Sequence, residues 1–192
     1  MRLKLAALFV AAPLLALAAP TFAQSHDTPA PPSHPVVTTV PPAKDADVQS
    51  IDGIIAAIYD VISGPPGQAR DFNRMRSLFV PGARMMPVGG KSKDAIGIRL
   101  MTVNDYVASS GPLLLEKGFH EKELARKVEQ FGNIAHVFST YEATIEKDNV
   151  TLRGINTLQL MNDGKRWWIV SLMWQAETPE LPLPAQYLPA AK

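Results

Sequence analysis

The chain has 192 residues, 19 Lys and Arg against 18 Asp and Glu, 17 prolines and no cysteine. A near-neutral balance gives no electrostatic reason to bind nucleic acid, and no disulfide or lipid-modified cysteine can hold this protein together or to a bilayer. Stability therefore has to come from one hydrophobic core.

Met1-Arg-Leu-Lys4 is followed by an apolar run from Leu5 to Ala19 and then Thr21-Phe22-Ala23. A short basic start, an apolar middle and small residues at the cut make a secretory signal peptide over residues 1–23, cleaved after Ala23. The run is short for a bilayer span, so no stable membrane anchor is expected. The expected location is the periplasm or the medium. Residues 24–46 hold "SHDTPAPPSHPVVTTVPPA", where repeated prolines and the lack of apolar periodicity predict a disordered tether. His26 and His34 lie in it without metal-ligand spacing, and neither a metal nor a cofactor is expected.

The folded domain is expected over residues 47–177. Val48, Ile51, Ile54, Ile55, Ile58 and Ile62 recur at helical spacing up to Ser63-Gly-Pro-Pro66, which closes the first helix. A second helix is expected over Asp71–Leu78, and "VPGARMMPVGG" reads as a turn and a short strand. Ala95–Leu100 is weakly strand-like. A further helix follows from Val103, broken at Gly111-Pro112.

After Gly118 the period changes to two. Strands are expected over Phe119–Gln130, Ile134–Ile145, Val150–Met161 and Arg166–Gln175, with Asn162-Asp-Gly-Lys165 as a hairpin signal. Helices first and a meander second predict an α+β fold with helices packed on an antiparallel sheet. A four-residue loop at Glu146–Asn149 sets Glu142 opposite Arg153 and His136 opposite Gln159. A two-residue turn at Asp163-Gly164 sets Leu160 opposite Trp167 and Thr157 opposite Val170. One face then holds His136, Phe138, Thr140, Ile155, Thr157, Gln159, Trp168, Val170, Leu172 and Trp174. The other holds Ala135, Val137, Ser139, Tyr141, Asn156, Leu158, Leu160, Trp167, Ile169 and Met173. Both are too apolar for open solvent, so the Pro-rich tail over residues 178–192 or a second copy of the chain should cover the outer one.

The opening helix with Tyr59, the segment "LFVPGARMMPVGG" and the run "RGINTLQLMNDGKRWWIVSLMWQAE" resemble the nuclear transport factor 2-like superfamily, which includes ketosteroid isomerase. The resemblance spans roughly Val48 to Ala176. It implies a cystatin-like cone, with the N-terminal helices in the concave face of a curved sheet. It also implies a base directly before Pro-Val-Gly, where this chain has Met86, and an acid on the strand before the last hairpin, where it has Thr157. Tyr59 and Trp174 match that enzyme's hydroxyl donor and pocket wall. The face bearing His136 is then inside, and the ligand-binding cavity is expected to be lined by Tyr59, Met86, His136, Phe138, Thr157, Gln159, Leu172 and Trp174.

Three functions stay open at this point. One is binding of a small apolar or aromatic molecule without catalysis. Another is an isomerase, dehydratase or cyclase using His136 and Tyr59 as catalytic groups. The last is an envelope interaction module acting through the sheet's outer face and the proline-rich ends; a homodimer through that face is the alternative to cover by the tail. Glu121, in "FHEKELARKVEQ", reads as part of a solvated strand. Glu142 reads as the ion-pair partner of Arg153. Arg74 and Arg84 have the reach to meet an anionic ligand at the cavity mouth.

Overall fold

The computed structural model describes residues 40–90 and 95–189, so the expected signal peptide and most of the expected tether lie outside the described residues. Helical structure begins slightly earlier than the periodicity suggests. Asp45–Val48 forms a helical turn, α1, and Asp47 and Val48 are buried.

Helix α2, Ile51–Ile62, starts where Ser50 Oγ accepts a hydrogen bond from Gly53 N at 2.9 Å. It buries Ile54, Ile55, Ile58, Val61 and Ile62, and each such side chain contributes about 1.5–3 kcal/mol on leaving water. Helix α3, Phe72–Leu78, is capped by Asp71 and adds Met75 and Leu78 to the same core. Helix α4, Val103–Lys117, opens on a reciprocal cap between Thr102 and Asp105. It runs through Pro112 without the expected break. The loss of one backbone hydrogen bond there is outweighed by docking of buried Tyr106, Gly111 and Leu114; at Gly111 a Cβ would stand only 3.1 Å from the Phe72 ring.

Six strands form one sheet: β1 Phe79–Gly90, β2 Ile96–Ile98, β3 Phe119–Phe131, β4 Ile134–Ile145, β5 Val150–Asn162 and β6 Trp167–Ala176. Their order is β2-β1-β6-β5-β4-β3. The meander β3 to β6 is antiparallel, as the turns predict. β1, however, is a full strand and lies parallel to β6, so the sheet is mixed. The intervening meander supplies the long connection that a parallel pair requires.

The β4–β5 register matches the expectation, with Glu142 opposite Arg153 and His136 opposite Gln159. The β5–β6 register does not. Asp163 Oδ1 accepts from the backbone amides of Lys165 and Arg166, and this widens the connection so that Asn162 pairs with Trp167. Leu160 therefore faces Ile169. A bulge then leaves Val170 between the Leu160–Ile169 and Gln159–Ser171 pairs.

That single extra residue moves the end of β6 to the opposite face. Leu172 and Trp174 join Leu158 and Asn156 on the side that carries buried Val137, Ser139, Leu160 and Ile169, while Met173 turns away. The helices pack on this side. The inner face is thus the one with Ala135, Val137, Ser139, Tyr141, Asn156 and Leu158, and His136, Phe138, Thr157 and Gln159 lie outside the cone. Gly154 marks the tightest point of the inner face. A Cβ there would meet Gln175 O at 2.3 Å and the Tyr141 hydroxyl at 2.5 Å, so only glycine lets Tyr141 lie across the strand.

The outer face is partly covered by the C-terminal tail. Glu177 N donates to Arg153 O at 2.8 Å, Thr140 Oγ1 donates to Tyr187 O at 2.6 Å, and the Tyr187 ring lies 4.8 Å from that of Phe138. The tail side of the expected cover is therefore seen directly. Trp167 and Ile169 are not the residues it hides, because both are buried in the inner core.

Candidate functional site

Between α2, α4 and the inner face lies a cavity of about 100 Å³. Ile58, Tyr59 and Ile62 come from α2, Met85 from β1, Tyr106 from α4, Phe119 and Glu121 from β3, Asn156 and Leu158 from β5, and Leu172 and Trp174 from β6. The Tyr106 and Trp174 rings meet edge to face, with centroids 6.2 Å apart.

Glu121 and Glu123 alternate with His120 and Lys122, and the pleat sends the two glutamates inward. Glu121 is consequently part of the cavity wall and not of a solvated strand. Its Oε1 accepts from Asn156 Nδ2 at 2.8 Å. Burial pushes the carboxyl up to about 7, and the Asn156 hydrogen bond opposes this only in part.

The remaining polar atoms form a chain whose direction follows from proton counting. Ser139 Oγ has one proton and donates it to Glu123 Oε1 at 2.5 Å. The 2.7 Å contact between Tyr59 and Ser139 must then use the tyrosine proton. Tyr59 in turn accepts from Asn156 Nδ2 at 3.1 Å, so both amide hydrogens of Asn156 are used. Arg126 closes the chain, with its Nε 2.9 Å from Glu123 Oε2 and its Nη1 2.8 Å from Asp52 Oδ1. Tyr59 lines the cavity as expected, but its proton is committed to the wall. It is no free donor for a bound oxygen. Burial also raises the Tyr59 hydroxyl well above its ordinary range.

Of the other expected cavity residues, Leu172 and Trp174 are in place. Met86 pairs with Met173 on the outer side, and its neighbour Met85 supplies the cavity contact. His136 lies outside the cone, where Gln159 Nε2 donates to its Nδ1 and its ring tilts against Phe138 at 6.0 Å. Phe138 and Thr157, together with Trp174, line a different hollow of about 360 Å³ between the outer face and the tail.

Arg74 is not available to a ligand, since it binds both oxygens of Asp47 at 2.7 and 2.8 Å and also contacts Asp60. This pairing holds the Asp47 carboxyl below its usual range. Arg84 turns to the Gly82 carbonyl at 2.8 Å. Arg153 pairs with Glu177 at 2.6 Å and leaves Glu142 to Lys122 at 2.8 Å; the carboxylate directly after β6 wins over the cross-strand one. Among the described residues no group of three or more His, Asp or Glu side chains is placed to hold a metal ion, and no helix is long and apolar enough to cross a membrane.

No family model matches the sequence, and no curated protein matches it. Solved structures do match. A Nostoc punctiforme protein of unknown function with a cystatin-like fold aligns at a TM-score of 0.50 and 11% identity, covering 71% of this chain and 94% of its own. A Streptomyces avermitilis protein from the nuclear transport factor 2-like family aligns at 0.51 and 15%, covering 70% and 98%. An uncharacterised Caulobacter vibrioides protein with a cystatin-like fold aligns at 0.51 and 11%, covering 69% and 90%. At these identities the likeness concerns architecture: the chain has the cystatin-like cone of the nuclear transport factor 2-like proteins.

Proposed function

We propose that this chain is an exported domain that binds a small molecule of mostly hydrocarbon surface in its cone, without transforming it. The observation that carries this reading is the cavity itself, whose wall is apolar and aromatic except for one edge formed by Glu121 and Asn156. Such a wall orients a ligand by a single polar group. At about 100 Å³ the space suits a group of roughly four or five heavy atoms, not a fused-ring ligand that fills a pocket of roughly 300 Å³ or more.

Export rests on the signal-peptide pattern of residues 1–23. The intact mass of the protein from a periplasmic or culture fraction is expected to match cleavage after Ala23; a full-length mass in that fraction would remove this part of the proposal.

Acid–base catalysis of the isomerase, dehydratase or cyclase kind is the second reading, and the neutral-range pKa of Glu121 favours it. His136 has no part in it, since it lies on the far side of the sheet. Native mass spectrometry of the gently purified protein, followed by denaturation, is expected to release a bound small molecule. The methyl resonances of Met85 and Leu172 should shift when the emptied protein meets that molecule again. Release of a chemically changed product on incubation would replace binding by catalysis. Unmoved cone resonances would place the ligand elsewhere and overturn the proposal.

A further inference from the structure

The other partly buried carboxylates among the described residues sit against a cation: Asp47 has Arg74, Glu123 has Arg126, Glu177 has Arg153 and Glu142 has Lys122. Glu121 is the exception. None of the ion pairs among the described residues includes it, and its one polar partner is the neutral amide of Asn156. A carboxyl directed into an apolar cavity is costly to ionise without a counter-charge.

The groups packed around it do not provide one. Tyr59 from α2, Tyr106 from α4 and Tyr141 from β4 are phenols that burial keeps neutral, and Glu123 on the same strand carries the wrong sign. On its other flank, the cleft with His120, Lys122 and Glu142, the lysine is engaged by Glu142 at 2.8 Å and the histidine by Glu146 at 2.5 Å. Arg70, the cation beside Tyr106, is spent on backbone carbonyls of Ile62, Gly64, Gln68 and Leu114.

What the cavity does provide is aromatic surface from Tyr106, Trp174 and Phe119, gathered from three elements around the carboxyl. Aromatic faces attract a cation lying within about 6 Å of the ring centre, and do so best where water is excluded. We infer that the cone takes a small organic cation, an ammonium head carrying methyl or methylene groups, with its charge opposite Glu121 and its carbon surface against the rings of Tyr106, Trp174 and Phe119. This rests on the cone-binding function proposed above. A methylated ammonium head has four or five heavy atoms, which is the size the cavity admits.

Choline and its uncharged isostere 3,3-dimethylbutan-1-ol test this directly, because they share shape and differ in charge. Choline does not titrate, so its pH dependence reports the protein. With the Glu121 carboxyl at about 7, the ionised fraction and hence the choline affinity should rise about tenfold from pH 6 to pH 8. In calorimetric titrations of the mature protein, choline should bind at least tenfold tighter than the alcohol at pH 8. Glu121→Gln should abolish both the preference and the pH dependence, and Phe119→Leu should weaken choline more than the alcohol. The wild-type comparison stands alone if either variant fails to fold.

Equal or tighter binding of the alcohol, with an affinity that falls as pH rises, would overturn the cation assignment while leaving a neutral ligand in the cone, received by protonated Glu121. Absence of choline binding at millimolar concentration would overturn it as well. If neither compound nor the co-purified molecule moved the cone resonances, the cone-binding proposal would fall with it.

Discussion

Replacing Arg70 with methionine is expected to lower the melting temperature by about 10 °C or more, the largest loss foreseen for any single polar side chain in this domain. Arg70 belongs to the loop between α2 and α3 and is only 8% exposed. Its Nε donates to Ile62 O at 3.0 Å and its Nη2 to Leu114 O at 3.2 Å, and the same guanidinium holds the carbonyls of Gly64 and Gln68. These carbonyls belong to the end of α2, the loop behind it and the end of α4. Gly64 is also bridged to Phe119 through two backbone hydrogen bonds of 2.7 and 3.0 Å, so the guanidinium pins one corner of the cavity.

Methionine fills much of the space but offers no donor. Each carbonyl left unpaired in a buried place costs about 1–3 kcal/mol. Because the four share one side chain and can partly relax, a total of about 3–5 kcal/mol is the reasonable expectation. Arg70→Lys should recover part of it, since an ammonium has three donors but not the planar fork. Circular-dichroism melts of the three proteins check the order; a loss under about 2 °C for the methionine variant would mean that water replaces the guanidinium.

Period-two alternation in β4 and β5, bounded by Glu146–Asn149, fixed a register that the structure reproduces pair by pair. The last strand, "WWIVSLMW", is apolar at nearly every position. A bulge can sit anywhere in such a run without disturbing its pattern, and the one at Val170 reversed the inferred facing of His136 while leaving Trp174 correctly inside. An orientation taken from Trp174 alone therefore turns the wrong face of β4 inward.

Glu121 was legible by a different route. In "HEKE" the two acids share one parity and the two basic side chains the other, so an inward pair of glutamates follows once the strand is known to line a concave face. Counting alternating charges hid this partition. Nothing in "GPPGQARD" marks Arg70 as buried, because its partners are carbonyls brought together by tertiary packing alone.

Glu121→Gln is expected to make the protein more stable at pH 8 and to leave it nearly unchanged at pH 4.5. The carboxyl lies at about 7 in the fold because burial disfavours its charge, against an ordinary value of 4.5 in the unfolded chain. Folding therefore retains a proton that unfolding releases. Below about pH 4.5 both states are protonated and no difference arises. As pH rises from there to about 7, the wild type loses stability progressively, and above 7 the loss is complete. The corresponding linkage free energy is roughly 3 kcal/mol, or about 10 °C in melting temperature.

Glutamine keeps the oxygen that accepts from Asn156 and has no charge to expose, so its stability should not change through this window on account of position 121. Melts of both proteins from pH 4.5 to pH 8 measure the divergence directly. Parallel curves would show that ionised Glu121 finds a counter-charge or water within the cone at no cost. Divergence that saturating choline removes, by stabilising the wild type and not the variant at pH 8, would instead identify the missing partner of this carboxylate as a cation supplied from outside the chain.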